Sequence, residues 1–302
     1  MSDTLRDPPG ERDIPALLEF GVVPLDKPAG PSAHQVAAWV RDAVDEALES
    51  AGHAGIDRAA HAGTLDPKVT GCLPTLLGTG TRCVPALQHQ PKEYVAVLEL
   101  HGPAPADFEA VLAEFEGTLY QRPPRKSAVV RELRQRRVEQ LEIIEQRDRQ
   151  VLLHIDCEAG TYVRKLCHDI GLAAGTGAHM GDLRRIGTGP FDDRELVYLE
   201  DLVDGLAAWT EHGETDWLRE AVRPAERALA HLPAVTIAPS AAREVAEGAP
   251  VYAPGVIDGG TAEQGQRVVC ITPGGTAVCL GTLVGAPTAD QGTVVELERV
   301  LV

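Results

Sequence analysis

Lysine is scarce in this 302-residue chain: five lysines stand against 23 arginines, and 45 acidic residues leave a net charge of −17. So acidic a chain repels a polyanion at moderate salt, which argues at first sight against a nucleic-acid partner. Yet acids spread along the whole chain with so little lysine are also the composition of proteins that work in molar salt. There the screening length is only about 3 Å, and local contacts decide binding. Composition leaves both readings open.

Long apolar runs are also missing. None reaches the length of a membrane span, and the opening M-S-D-T-L-R-D-P-P-G-E-R-D has neither the basic nor the apolar region of a signal peptide. No membrane partner is expected, and a cytoplasmic location is. The six cysteines, at 72, 83, 157, 167, 270 and 279, never form a C-x-x-C pair, so neither a zinc ribbon nor a redox motif is offered. There is no phosphate-binding glycine loop and no metal-ligand cluster, so no cofactor and no metal are expected.

The length suggests two domains. Residues 1–20 read as a polar, proline-containing extension. From 21 to 230 strands and helices mix: a strand opening G-V-V-P-L-D-K-P-A-G-P-S (21–32), and a helix over 33–50 with Val36, Val40, Val44 and Leu48 at four-residue spacing. Further strands are expected over 92–100 and 151–159. Helices are expected over 106–116, within 160–175 and around 200–229. From 231 to 302 the chain turns to short β-like runs between glycines, the pattern of a small β-barrel.

Two stretches carry chemistry. Between Arg122 and Arg137, R-P-P-R-K-S-A-V-V-R-E-L-R-Q-R-R holds seven basic residues and one acid. Against so acidic a background this island reads as a phosphate-contacting surface rather than a merely solvated segment. Residues 61–74, H-A-G-T-L-D-P-K-V-T-G-C-L-P, are too rich in glycine and proline for regular structure. Asp66 precedes a proline, which favours an extended backbone. It is either a turn residue bonding its own backbone or a carboxylate held out for use.

That loop closely resembles the catalytic loop of the TruB/dyskerin family of RNA pseudouridine synthases. L-D-K-P-A-G-P-S at 25–32, K-E-Y-V at 92–95, G-T-Y-V-R-K-L at 160–166 and H-M-G-D-L-R-R at 179–185 match the same family in the same order. The resemblance covers residues 21–191. The C-terminal segment looks like the family's PUA domain, an RNA-binding barrel. The D-P-K-V-T-G-C-L and P-P-R-K-S-A-V variants look more like the archaeal and eukaryotic dyskerin branch, and the acidic composition suggests a halophile.

The resemblance implies an α+β fold: a catalytic domain over 21–230, with a mixed, mainly antiparallel sheet and flanking helices, then a PUA-type barrel over 231–302. It implies an isomerase acting on uridine in rRNA and possibly tRNA, with Asp66 as the catalytic carboxylate, nucleophile or base. Either task needs an ionised carboxylate in a largely dry pocket, hence a fixed cation beside it. Arg164 matches the arginine that pairs with it, a group that stays charged and holds a carboxylate in fixed geometry. Tyr94 matches the aromatic that stacks on the target base and assists proton transfer. Tyr162 and Leu183 match pocket-lining positions, His61 a histidine near the flipped nucleotide, and Lys27 a support of the aspartate loop. Arg122, Arg125, Lys126, Arg184 and Arg185 are candidates for contacts to the RNA backbone.

The implied partners are substrate RNA, a box H/ACA guide RNA and three small particle proteins: one zinc-ribbon-like, one of the glycine/arginine-rich family and one kink-turn binder. The alternatives are a stand-alone TruB-like enzyme acting on the tRNA T-loop, and a non-catalytic RNA-binding scaffold. The chain departs from the family's usual polar residue at Pro24 and from Ser or Thr at Ala33.

Overall fold

The computed structural model describes residues 5–123, 130 and 132–302. Helix α1 (Ile14–Glu19) starts where the Asp13 carboxylate accepts the Ala16 N–H at 2.9 Å, and it leads into strand β1 (Gly21–Lys27). Helix α2 (Ala33–Ser50) begins with a reciprocal cap between Ser32 and Gln35 and buries Val36, Val40, Val44 and Leu48. After β2 (Ala59–His61) and β3 (Thr70–Leu77) come α3 (Val84–Gln88), β4 (Lys92–Leu100) and α4 (Phe108–Ala113). The meander β5 (Gly117–Gln121), β6 (Arg134–Arg147) and β7 (Gln150–Cys157) follows. Then come α5 (Val163–Ala173), β8 (Ala178–Thr188), β9 (Phe191–Asp192), α6 (Leu199–His212), α7 (Asp216–Ala221) and β10 (Arg223–Pro224). The helical stretch expected around 200–229 is broken at Gly213, whose φ of 73° gives α6 a left-handed end.

These strands make one sheet of ten, in the order β10-β1-β3-β8-β4-β7-β6-β5, with β2 paired to β3 and β9 to β8. Among the described residues every pairing between these strands is antiparallel except β3 with β8, and an isolated parallel bridge joins Leu25 to Val197. β1 is buried over nearly its whole length, as a central strand should be. Pro24 faces Pro74 across the β1–β3 ladder, and their carbonyls are taken by the Val197 N–H at 2.9 Å and the Ala62 N–H at 3.0 Å. Proline is thus tolerated here because other segments complete the bonding. The core joins Val23 and Leu25 of β1, Leu73 and Leu77 of β3, Leu153 and Ile155 of β7, and Leu166 and Ile170 of α5.

A second sheet follows. Strands β11 (Ala234–Ile237), β12 (Val251–Tyr252), β13 (Val256–Asp258), β14 (Arg267–Ile271), β15 (Ala277–Leu283) and β16 (Thr293–Val300) take the order β12-β16-β15-β14-β11-β13. Helix α8 (Pro239–Ala246) packs on it through Ala242 and Val245. Among the described residues no helix is long and apolar enough to cross a membrane.

Residues 5–20, read from sequence as an extension, are built into the molecule. Leu17, Leu18 and Phe20 are buried, and the Arg6 guanidinium lies 3.5 Å over the Phe20 ring. Arg6 also donates to the carbonyls of Leu301 at 2.8 Å and Ala277 at 3.1 Å. Arg12, with no exposed surface, forks onto Glu226 at 2.9 and 2.6 Å. Glu226 in turn accepts the Ala277 N–H at 3.1 Å, so one carboxylate ties the N-terminal segment to the second sheet. Removing one partner of a buried pair strands the other charge. Glu226→Gln should therefore destabilise the protein by about 3 kcal/mol, read as a lower denaturant midpoint in molar salt; an unchanged midpoint would contradict this role.

Candidate active site

The strand order β3-β8-β4 brings the candidate residues together. Gly71 and Tyr94 are both register partners of Arg185, and Ala96 is the partner of Leu183. An irregularity between Glu93 and Tyr94 sits in this ladder, a device that re-aims side chains near sites. A Cβ on Gly71 would lie 2.2 Å from the Arg185 carbonyl, and Gly71 has a φ of 97°. Glycine is required there for β3 and β8 to meet.

The loop before β3 is held at several points. Asp66, Pro67, Lys68 and Val69 form a turn closed by the Val69 N–H on the Asp66 carbonyl at 3.0 Å, with proline where φ is pre-set. Leu65 and Val69 are buried on either side, leaving Asp66 facing out. The Pro67 carbonyl accepts from the Gly30 N–H at 2.8 Å and from Lys27 Nζ at 3.1 Å. Lys27 is itself fully buried and also bonds the Pro28 carbonyl at 2.7 Å. Burial lowers its pKa, and the nearby Asp66 opposes that shift. The turn uses the backbone of Asp66; the carboxylate is left for Arg164, whose Nη2 donates to Oδ2.

Arg164 lies in the first turn of α5, just after Tyr162. The buried Gln121 side chain clamps that helix start: Oε1 accepts the Tyr162 N–H at 2.9 Å and Nε2 donates to the Tyr162 carbonyl at 3.3 Å. Asp66, Tyr94, Tyr162, Arg164 and Leu183 all line one cavity of about 530 Å³. The Asp66 and Arg164 side chains are 54% and 52% exposed, so the pair stands at the open mouth. A dry pocket was expected; the chain alone leaves the pair wet.

The floor is cationic. Arg185 is 1% exposed, with Nε donating to the Cys72 carbonyl at 2.7 Å and Nη2 to the Gly63 carbonyl at 3.2 Å. Its guanidinium lies beside the Tyr94 hydroxyl. Burial raises the pKa of Tyr94, so it stays a neutral phenol at pH 7 despite that cation. Lys92 also lines the cavity, is 5% exposed, and donates to the carbonyls of Leu87 at 3.1 Å and Gln90 at 2.7 Å. Burial, and then Arg185, lower its pKa to about 7.

Three of the expected residues lie apart from the cavity mouth or are engaged within the protein. Arg185 is not presented to an RNA backbone; its side chain is spent inside the protein. Arg184 forks onto Asp26 at 2.9 and 2.7 Å and reaches Asp193 at 2.6 Å, joining β8 to β1 rather than standing free for phosphate. His61 ends β2, half-buried and outside the cavity lining, with its pKa lowered by burial and by Arg185. Arg122 is exposed just beyond β5, while Arg125 and Lys126 lie outside the described residues. Lys92 and Gln121 were missed as site residues. Period-two alternation could have found Lys92 from Tyr94 and Arg185 from Leu183.

Comparison with known proteins identifies the family. The TruB family pseudouridylate synthase N-terminal domain matches residues 52–104, and the tRNA pseudouridylate synthase B C-terminal domain matches 164–230. The DKCLD domain matches 7–37 and the PUA domain 233–301. A protein of Haloarcula marismortui called a probable tRNA pseudouridine synthase B is 63% identical, over 99% of this chain and 94% of its own. The chain belongs to the TruB/dyskerin family of pseudouridine synthases. Its relative of the same description in Pyrococcus abyssi is 43% identical, over 97% of this chain and 87% of its own. A crystal structure of a Cbf5–Nop10–Gar1 complex superposes with a TM-score of 0.89 at 42% identity, over 99% of this chain and 90% of the other. An H/ACA RNP bound to a substrate RNA containing 2′-deoxyuridine gives 0.87 at 39% identity, over 100% of this chain and 91% of the other.

Lys92 of this TruB/dyskerin site gives a stability prediction. Its folded pKa of about 7 lies below the ordinary lysine value of 10.5, so between these pH values the unfolded chain binds more protons. Its contribution to stability therefore rises with pH from about 7 upward. Relative to Lys92→Met, the wild type should gain about 2 kcal/mol between pH 7 and pH 9, measured by denaturant titration. Parallel pH curves for the two proteins would mean the lysine is not held charged against its burial.

Proposed function

We propose that this pseudouridine synthase works as the catalytic subunit of a guide-RNA particle, with Asp66 as the carboxylate that acts on the sugar of the target uridine. The observation that carries the reading is the Asp66–Arg164 pair at the mouth of a cavity floored by Tyr94 and Arg185. The near-complete superposition on Cbf5 in its complexes supports the particle. The guide RNA, small proteins like those in the superposed complexes, and rRNA or tRNA substrates are the partners, in the cytoplasm. The PUA-type segment over 231–302 is the RNA-binding module, and 21–230 the catalytic domain.

A flipped uridine closing the mouth displaces water from the pair, which strengthens the Arg164 hold on an ionised Asp66. Asp66 then attacks C1′ or takes a proton from the sugar, and the C1′–N1 bond breaks with its electron pair leaving on uracil. The ring turns and C5 bonds to C1′ as the Asp66–C1′ bond breaks, or as the sugar regains the proton that Asp66 took; the C5 proton then departs and N1 takes one up. Tyr94 stacks on the base and, as a neutral phenol whose oxygen accepts from Arg185, keeps its own O–H to donate. Tyr162 and Leu183 shape the pocket, Lys27 fixes the loop, and Arg122, Arg125 and Lys126 remain candidates for backbone contact.

A stand-alone enzyme on the tRNA T-loop is the second reading, favoured by the description of the curated relatives as probable tRNA pseudouridine synthase B. A scaffold without activity has no use for a charged pair at a cavity mouth. The test is release of tritium from C5-labelled uridine in molar potassium chloride. The chain alone is compared with the chain carrying guide RNA and partners, and with that particle bearing Asp66→Asn. Release should need the guide and fall at least about 10³-fold with Asp66→Asn. Release by the chain alone on a T-arm would favour the second reading, and an active Asn variant would overturn the site.

A further inference from the structure

We propose that Lys92, with Arg185 beside it, forms a cationic floor that receives the negative charge leaving with uracil when the glycosidic bond breaks. This deepens, and rests on, the synthase reading above. Among the cavity-lining residues Asp66 is the one carboxylate, against the cations Lys92, Arg164 and Arg185. Asp66 is matched by Arg164. Among the described residues no acid pairs with Lys92 or Arg185, and both are nearly out of contact with solvent.

Two adjacent buried cations with no counter-charge cost several kcal/mol each, which structure alone does not explain. The carbonyls of Leu87 and Gln90 that hold Lys92 could be satisfied by a neutral donor. The titratable and charged groups around the ammonium are Arg185 from β8, Cys72 from β3, Cys157 from β7 and His231 beyond β10. Tyr94 lies two residues on along its own strand. Buried thiols do not neutralise it either, because burial pushes Cys72 and Cys157 up to about 12.

The reaction itself supplies the missing anion. When C1′–N1 breaks, the electron pair stays on N1 and spreads to O2 and O4. When C5 bonds to C1′ the pair goes into the new bond, and the proton that C5 then loses is balanced by one taken up at N1. A fixed cation below the base lowers the barrier on both sides and is not consumed. The same burial makes the charge on Lys92 marginal near neutrality. The rate should therefore fall as pH rises through about 7, the lysine value here.

The test uses the assembled particle and target RNAs carrying uridine or 5-fluorouridine at the modified position. Single-turnover consumption of that nucleotide is followed by nuclease digestion and chromatography. Fluorine makes uracil a better leaving anion, so dependence on the floor should shrink. Lys92→Met should lose about 10²-fold on uridine but far less on 5-fluorouridine, and should lose the fall in rate above pH 7. Lys92→Gln, which keeps a donor to the same carbonyls, should behave likewise and serves if the Met variant does not fold. Equal losses on the two RNAs with an unchanged pH profile would overturn the floor while wild-type activity and Asp66 dependence stand. Activity that survives Asp66→Asn would instead overturn the synthase site itself, and the floor with it.

Discussion

Among the described residues Asp66 is the one carboxylate facing a cavity whose other charged linings are Lys92, Arg164 and Arg185, and much of the catalytic half is arranged to keep it there. Its backbone closes a turn, its neighbours Leu65 and Val69 are sunk in the core, and the next carbonyl is gripped by Lys27 and Gly30. A buried ammonium is a costly clamp unless its protons are used. Lys27 gives two of them to carbonyls of the chain segments that meet at the loop. Rigidity at the aspartate follows from those restraints, and glycines supply the close approach that rigidity would otherwise forbid.

The same logic extends outward. β3 and β8 meet in a short parallel pairing made possible by Gly71, and this places Arg185 under the cavity. Arg184, the next side chain, points the other way and ties β8 to Asp26 of β1 and to Asp193. Alternation along one strand thus gives one arginine to the site and one to the frame. On the far side, Glu226 joins Arg12 to the second sheet, so that the six-stranded sheet is tied to the ten-stranded one by the N-terminal segment.

Much of this was legible in the sequence. The four-residue apolar spacing marked α2 over 33–50, as observed, and the loop's glycines and prolines marked Asp66. Five ordered motifs pointed to Tyr94, Tyr162, Arg164 and Leu183, which share one cavity. The basic residues were harder. Arginine is read from sequence as surface, yet Arg185, Arg12 and Arg184 are consumed by carbonyls and carboxylates distant in the chain. Such partners are set by strand order, which local pattern does not contain. Residues 1–20 look polar in sequence, and only the core that Leu17, Leu18 and Phe20 enter shows why those three are there.

The central claim is that Arg164 serves the reaction through Asp66 and not on its own account. A double-mutant cycle on single-turnover rates, with Asp66→Asn, Arg164→Met and both together in the assembled particle, tests it directly. The account predicts strong non-additivity, with the double variant no slower than Asp66→Asn alone. Losses that simply multiply would contradict it.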